Sequence, residues 1–238
     1  MYFCHTIICI CQKRAVPLHA NLVDKDMNTL ELFANKGTLI AKDVTPFQTF
    51  SGRGMTFNLE SYDWNGWACV SHLTMRAFFG LMKMDTLICT PYAKDLPLLS
   101  YDYICAFGKR TLLVETYDTL VNPVDLSAMD AVKARYQDLK DKPSKPAWFD
   151  GLKMSPTVCK VGKEPALSAL ATDMITAYLE LFASARDIDR SVKTEKNNTY
   201  VEGLIKDGPT FRVVSKMLGV DAAKTLFRNH LFATIVNR

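Results

Sequence analysis

Apolar and polar positions alternate in two different ways along this chain. From Trp67 to Asp118 short apolar runs are broken by turn residues, the signature of a sheet. Ala68 to Phe79, stopped by Gly80, is one predicted strand, and Thr86 to Thr90, stopped by Pro91, is a second. Tyr101 to Phe107 and Thr111 to Asp118 flank Gly108-Lys109-Arg110 and predict a hairpin. Successive strands with short connections argue for an antiparallel meander. Beyond Asp118 the period changes. Ser127 to Leu139 reads as a helix with Asp125 or Ser127 as its N-cap, and Lys142-Pro143-Ser144-Lys145-Pro146 then breaks the chain. Leu167, Leu170, Met174, Tyr178, Leu181 and Phe182 recur at helical spacing within a long amphipathic helix from Glu164 to Arg186. The polar stretch Arg186 to Asn198 reads as a loop, and a last helical segment runs from about Thr210 to Ile235 with an interruption near Gly219. Strands first and helices last predict an α+β layer fold.

Composition narrows the classes. The 238 residues are 48% hydrophobic and 23% charged, so the chain has enough apolar surface to bury a core, and no Gly/Ser-rich or Pro-rich linker divides it. A single domain over 1–238 is expected. A formal charge of +4 is far from the dense basic character of a nucleic-acid binder, and none is expected as a partner. The apolar opening Tyr2 to Cys11 is followed, not preceded, by Lys13 and Arg14, and it is too short to span a bilayer. Residues 1–20 therefore read as a targeting remnant, a first strand or a frayed end, and a soluble protein without a membrane partner is expected. The seven cysteines show no C-x-x-C pair, and the four histidines no H-x-x-x-H or H-E-x-x-H spacing. Reduced thiols and no bound metal follow as expectations. Dinucleotide loop, phosphate loop and nucleophile elbow are all missing from the sequence.

The residue most able to carry chemistry is Asp102, within Leu98-Leu99-Ser100-Tyr101-Asp102-Tyr103-Ile104. Alternation aims it to the same side as Ser100 and Ile104. A carboxyl group desolvated on an apolar strand holds its proton to higher pH and can hand it to a substrate. The plainer reading is a solvent-facing Asp or one paired with an Arg. Asp207, in Lys206-Asp207-Gly208-Pro209, reads first as turn and capping chemistry before a helix. Asp85, Asp95 and Asp118 read as solvent-facing turn residues, and the runs Lys160 to Lys163 and Lys193 to Lys196 as solvated faces onto which an acidic protein could dock.

The stretch Asp95-Leu96-Pro97-Leu98-Leu99-Ser100-Tyr101-Asp102-Tyr103-Ile104-Cys105-Ala106-Phe107-Gly108-Lys109-Arg110, followed by Leu112-Leu113-Val114, resembles the central hairpin of the ferredoxin-dependent bilin reductases. Met154-Ser155-Pro156 is similar to the family's Phe-Ser-Pro step. Ala177 to Leu181, Tyr200 to Pro209 and Ala222 to Phe232 match further segments in order, so the resemblance covers most of Trp67 to Phe232.

The resemblance implies a three-layer α/β/α sandwich around a central antiparallel sheet. It implies an open-chain tetrapyrrole, biliverdin, held between the sheet and the C-terminal helices. It also implies a monomeric enzyme with no cofactor of its own, taking single electrons from reduced ferredoxin in the plastid stroma or the cyanobacterial cytoplasm. The family's central catalytic Asp falls on Asp102 and its second acid on Asp207, although Lys206 replaces an Asn and Gly208 is inserted. Ile88, Ser100, Met154 and Ser155 fall at substrate-binding positions. Members that make phycocyanobilin carry a His on the preceding strand, and the matching position is read as Ile88, which cannot relay a proton. The pattern is most similar to members that reduce the 15,16 double bond of biliverdin on the way to phycoerythrobilin. A-ring reduction, the combined four-electron reaction, a reductase of a chlorophyll catabolite and a non-catalytic bilin carrier remain as alternatives. Lys160, Lys163, Lys206 and Arg212 are the expected ferredoxin-facing residues.

Overall fold

A computed structural model describes residues 29–143 and 147–232. The possible targeting segment 1–20 and the middle of the Pro-containing break, 144–146, lie outside the described residues. The strands are β1 (Leu39–Ala41), β2 (Thr49–Gly52), β3 (Met55–Trp64), β4 (Ala68–Ala77), β5 (Met82–Pro91), β6 (Leu98–Ala106), β7 (Lys109–Tyr117), β8 (Lys140–Asp141) and β9 (Val158–Gly162). They form one sheet in the order β1-β3-β4-β5-β6-β7-β9-β8, with β2 also on β3, and every pairing is antiparallel. The meander read from the sequence is thus the centre of the sheet. The β6–β7 hairpin turns through Phe107 and Gly108, both at positive φ (51° and 77°), so the turn lies one residue earlier than Gly108-Lys109-Arg110 implied.

The helices are α1 (Thr29–Ala34), α2 (Ser127–Arg135), α3 (Ala166–Leu181), α4 (Arg190–Asp207), α5 (Pro209–Leu218) and α6 (Val220–Thr225), followed by a π-type turn over Leu226–Leu231. They cover both faces of the sheet. On one face Val70, Leu87, Leu99, Tyr101 and Leu112 pack against α2 and α3 through Met129, Leu170, Met174 and Tyr178. On the other, Leu59, Met75, Ile88, Ile104 and Leu113 pack against α4–α6 and the following turn through Tyr200, Leu204, Phe211 and Phe227. Each fully buried side chain of this size contributes roughly 2 kcal/mol of hydrophobic stabilisation before entropy is counted. The result is the α+β layer fold that strands followed by helices predicted, in the three-layer arrangement that the resemblance implied.

The stretch read as a loop, Arg186 to Asn198, is a correction: it contains the start of α4, an 18-residue helix. Asp189 caps it by accepting from the Ser191 and Val192 amides. Its inward stripe begins with polar residues. Lys193 is fully buried, donating to the carbonyls of Leu96 (2.7 Å) and Thr119 (2.6 Å), with its ammonium 3.5 Å from Asp95. Asn197, buried as well, donates to the Pro91 carbonyl at 2.8 Å. Lys193 is therefore no solvated residue. Nor is Asp95 a solvent-facing turn, because it accepts from the amides of Val121 and Asn122 and from the Asn122 side chain.

Candidate functional site

Asp102 occupies the centre of β6 on the face turned to α4–α6, in line with Leu98, Ser100 and Ile104. Three strands put polar groups around it. Thr86 on β5 lies directly opposite and donates its hydroxyl hydrogen to Asp102 Oδ1. Ser100 lies between Ile88 of β5 and Glu115 of β7 in register. Glu115 is thereby the diagonal neighbour of Asp102, about 7 Å away by strand geometry. In this register the residue beside Asp102 on the preceding strand is Thr86, and Ile88, two residues further along the same face, opposes Ser100 and is 5% exposed within the apolar layer. Thr86 carries a hydroxyl, so the position beside the candidate acid is not inert.

The two carboxyl groups sit in contrasting surroundings. Burial raises the pKa of Asp102, the negative charges of Glu115 and Asp85 add to that, and the Thr86 hydrogen bond only partly opposes it. Burial acts on Glu115 in the same sense, but its pKa lies below the ordinary value, with the Lys153 ammonium at 2.8 Å and the Tyr117 hydroxyl, donating at 2.6 Å, among the groups that favour its charged form. Lys153 is shared with Asp150 at 3.0 Å. One carboxyl thus keeps its proton to higher pH while its neighbour stays charged, the pattern that separates a proton donor from an electrostatic partner. Glu115 is 2% exposed in the apolar run Leu112-Leu113-Val114. The signal that singles out Asp102, a carboxylate in an apolar strand, marks Glu115 as well.

The other candidates scatter. Asp207 ends α4, with its side chain 65% exposed and 3.7 Å from Arg212, so it faces solvent instead of the apolar layer over Asp102. Met154 is half-buried, its amide donating to the Thr116 carbonyl at the end of β7. Ser155 is exposed and donates to Asp130 of α2, on the helical layer opposite Asp102. The structure joins Asp102, Ser100 and Ile88 on one surface with the unforeseen Thr86 and Glu115, and does not bring Asp207 or Ser155 to them. Of the expected ferredoxin-facing residues, Lys160 is unsuitable: it is 5% exposed, donating to the Leu139 carbonyl and paired with Asp141 at 2.8 Å.

No protein-family model matches the chain, and no curated protein does. Among solved structures the fold is similar to that of phytochromobilin synthase from tomato, determined in complex with biliverdin. The TM-score is 0.68 over 87% of this chain and 80% of that one, at 13% sequence identity. The likeness is one of fold.

Proposed function

We propose that this protein is a ferredoxin-dependent reductase of an open-chain tetrapyrrole, with biliverdin as the first candidate substrate. The observation that carries the reading is Asp102, a carboxyl of raised pKa on the helix-facing surface of the central sheet, in a fold similar to that of a biliverdin-complexed synthase. The residues that resemble the bilin reductases run through the same strand.

In this reading the bilin lies between the sheet and α4–α6. Two electrons arrive singly from reduced ferredoxin, the protein itself holding no redox group. Two protons complete the addition across one carbon–carbon double bond, for which the 15,16 bond is our choice. Each electron raises the basicity of the conjugated system, and a poised acid captures that gain. Asp102 supplies a proton, Thr86 fixes its carboxyl through the donated hydrogen bond, and Glu115 stays ionised beside it, keeping the Asp102 proton available to higher pH.

The test is anaerobic absorbance. Purified protein mixed with biliverdin should give a bound spectrum, and addition of reduced ferredoxin should convert it to a product absorbing at shorter wavelength, as loss of one double bond from the conjugated path requires. Binding without conversion would leave a carrier, or a reductase of another tetrapyrrole; no binding would remove the bilin reading.

A further inference from the structure

Three adjacent hairpin tips close one end of the sheet: residues 51–56 between β2 and β3, 76–83 between β4 and β5, and 105–110 between β6 and β7. Together they carry Arg53, Arg76, Lys83, Lys109 and Arg110 and no acidic residue. Arg53, Arg76, Lys83 and Lys109 are exposed and have no ion-pair partner among the described residues. Arg76 and Lys83 are paired directly across β4 and β5, and the row continues through Cys105 to Arg110 of β7. Like charges directly opposite on a sheet are destabilising. The nearest acid on that face, Asp85, is engaged by His72 at 2.9 Å.

The same tips present aromatic rings. Phe79 is 104% exposed and Phe107 44% exposed, with Leu81 at 39% beside them. Phe78, Phe79 and Phe107 all lie at positive φ (52°, 55° and 51°), a conformation bulky side chains rarely adopt. In the β4–β5 turn that conformation holds a phenyl ring out in water. An apolar centre with a rim of one charge sign is the anatomy of a surface that meets a partner of the opposite sign.

We infer that this hairpin-tip end is the docking surface for an acidic protein, and, resting on the function proposed above, that this protein is the [2Fe–2S] electron donor. Charge complementarity selects an acidic partner, and the exposed rings at the centre of the basic row select a protein surface that can cover them. The position suits delivery of electrons to the site: Ala106 at the tip is four residues along β6 from Asp102, about 14 Å at the rise of a strand. The surface replaces the one expected from Lys160, Lys163, Lys206 and Arg212.

The test compares two double charge reversals in the full-length protein. Arg76→Glu/Lys83→Glu alters the tips. Lys36→Glu/Lys196→Glu changes the net charge by the same amount at the opposite end of the sheet, where Lys36 precedes β1 and Lys196 lies near the start of α4. Affinity for a plant-type [2Fe–2S] ferredoxin is measured by titration calorimetry without bilin, and biliverdin binding is followed separately by absorbance. The tip variant should lose about tenfold or more in ferredoxin affinity while the control stays within about twofold. Wild-type affinity should fall with added salt. Phe79→Ala should weaken binding without altering that salt dependence.

Equal losses in both variants, no loss in either, no ferredoxin binding by the wild type, or tip-dependent binding to anionic vesicles in its place would overturn the docking surface. Because the titration uses no bilin, failure of the proposed substrate shows only in the absorbance arm.

Discussion

Replacing Asp102 by Asn tests whether its carboxyl is held at a cost. The side chain is half-buried, and among the described residues its hydrogen bond comes from Thr86 and its strongest electrostatic neighbours are Glu115 and Asp85, both negative. An amide oxygen accepts the same Thr86 hydrogen bond and carries no charge. The substitution therefore removes a desolvated, repelled anion and no structural contact. Removing an unfavourably placed charge without losing a contact is the kind of single substitution that typically stabilises by on the order of 1 kcal/mol, and a gain in unfolding free energy of that order is expected at alkaline pH.

The sign follows from linkage. The pKa of Asp102 is higher folded than unfolded, so between the two values the folded state binds more protons and wild-type stability falls as pH rises. The Asn variant lacks that slope. Urea denaturation from pH 4 to 8 should show the two proteins converging at the acid end and the variant pulling ahead as pH passes the ordinary carboxylate range. A variant less stable than wild type at pH 8, or a difference independent of pH, would refute the description of Asp102 as a desolvated acid.

Other groups give simpler tests. Lys193→Met should destabilise by roughly 3 kcal/mol in chemical denaturation, because it strips the Leu96 and Thr119 carbonyls and Asp95 of their buried cation; a loss below about 1 kcal/mol would contradict that role. Burial disfavours the charged His72 ring, but Asp85 at 2.9 Å and Glu60 at 3.6 Å outweigh it and raise its pKa. Stability from this group is therefore full below the ordinary histidine pKa and lost as pH rises through the raised one. The wild type's advantage over His72→Gln should shrink from pH 6 to pH 8, and an advantage that grew would contradict the assignment. A Cβ at Gly208 would lie 2.2 Å from the Leu204 carbonyl oxygen, so Gly208→Ala should lower stability by about 2 kcal/mol, read by thermal unfolding.

How far the sequence could be read differs from element to element. β4 to β7 were legible because each apolar run ends at a turn residue, and α3 because its apolar residues recur at three and four. β3 carried the alternation Met55, Phe57, Leu59 and was missed beside the louder runs that follow it. The start of α4 hid for a physical reason: its inward stripe opens with Lys193 and Asn197, polar residues that donate to backbone carbonyls from loops and strand ends far away in sequence. No local pattern carries that information. Asp102 was legible as a charge in an apolar strand. Its neighbour Thr86 was not, since a partner across a ladder depends on register. The exposure of Asp207 and the turn of Ser155 toward α2 depend likewise on tertiary contacts.

The central claim is that Asp102 hands a proton to a reduced tetrapyrrole. The most direct measurement is anaerobic absorbance and electron paramagnetic resonance of the biliverdin complex of Asp102→Asn, taken beside the wild type after one equivalent of reduced ferredoxin and again after excess. The account predicts equal binding in both proteins, turnover to a shorter-wavelength product in the wild type, and an organic radical that persists without product in the variant. Product formation by the variant at the wild-type rate would contradict it.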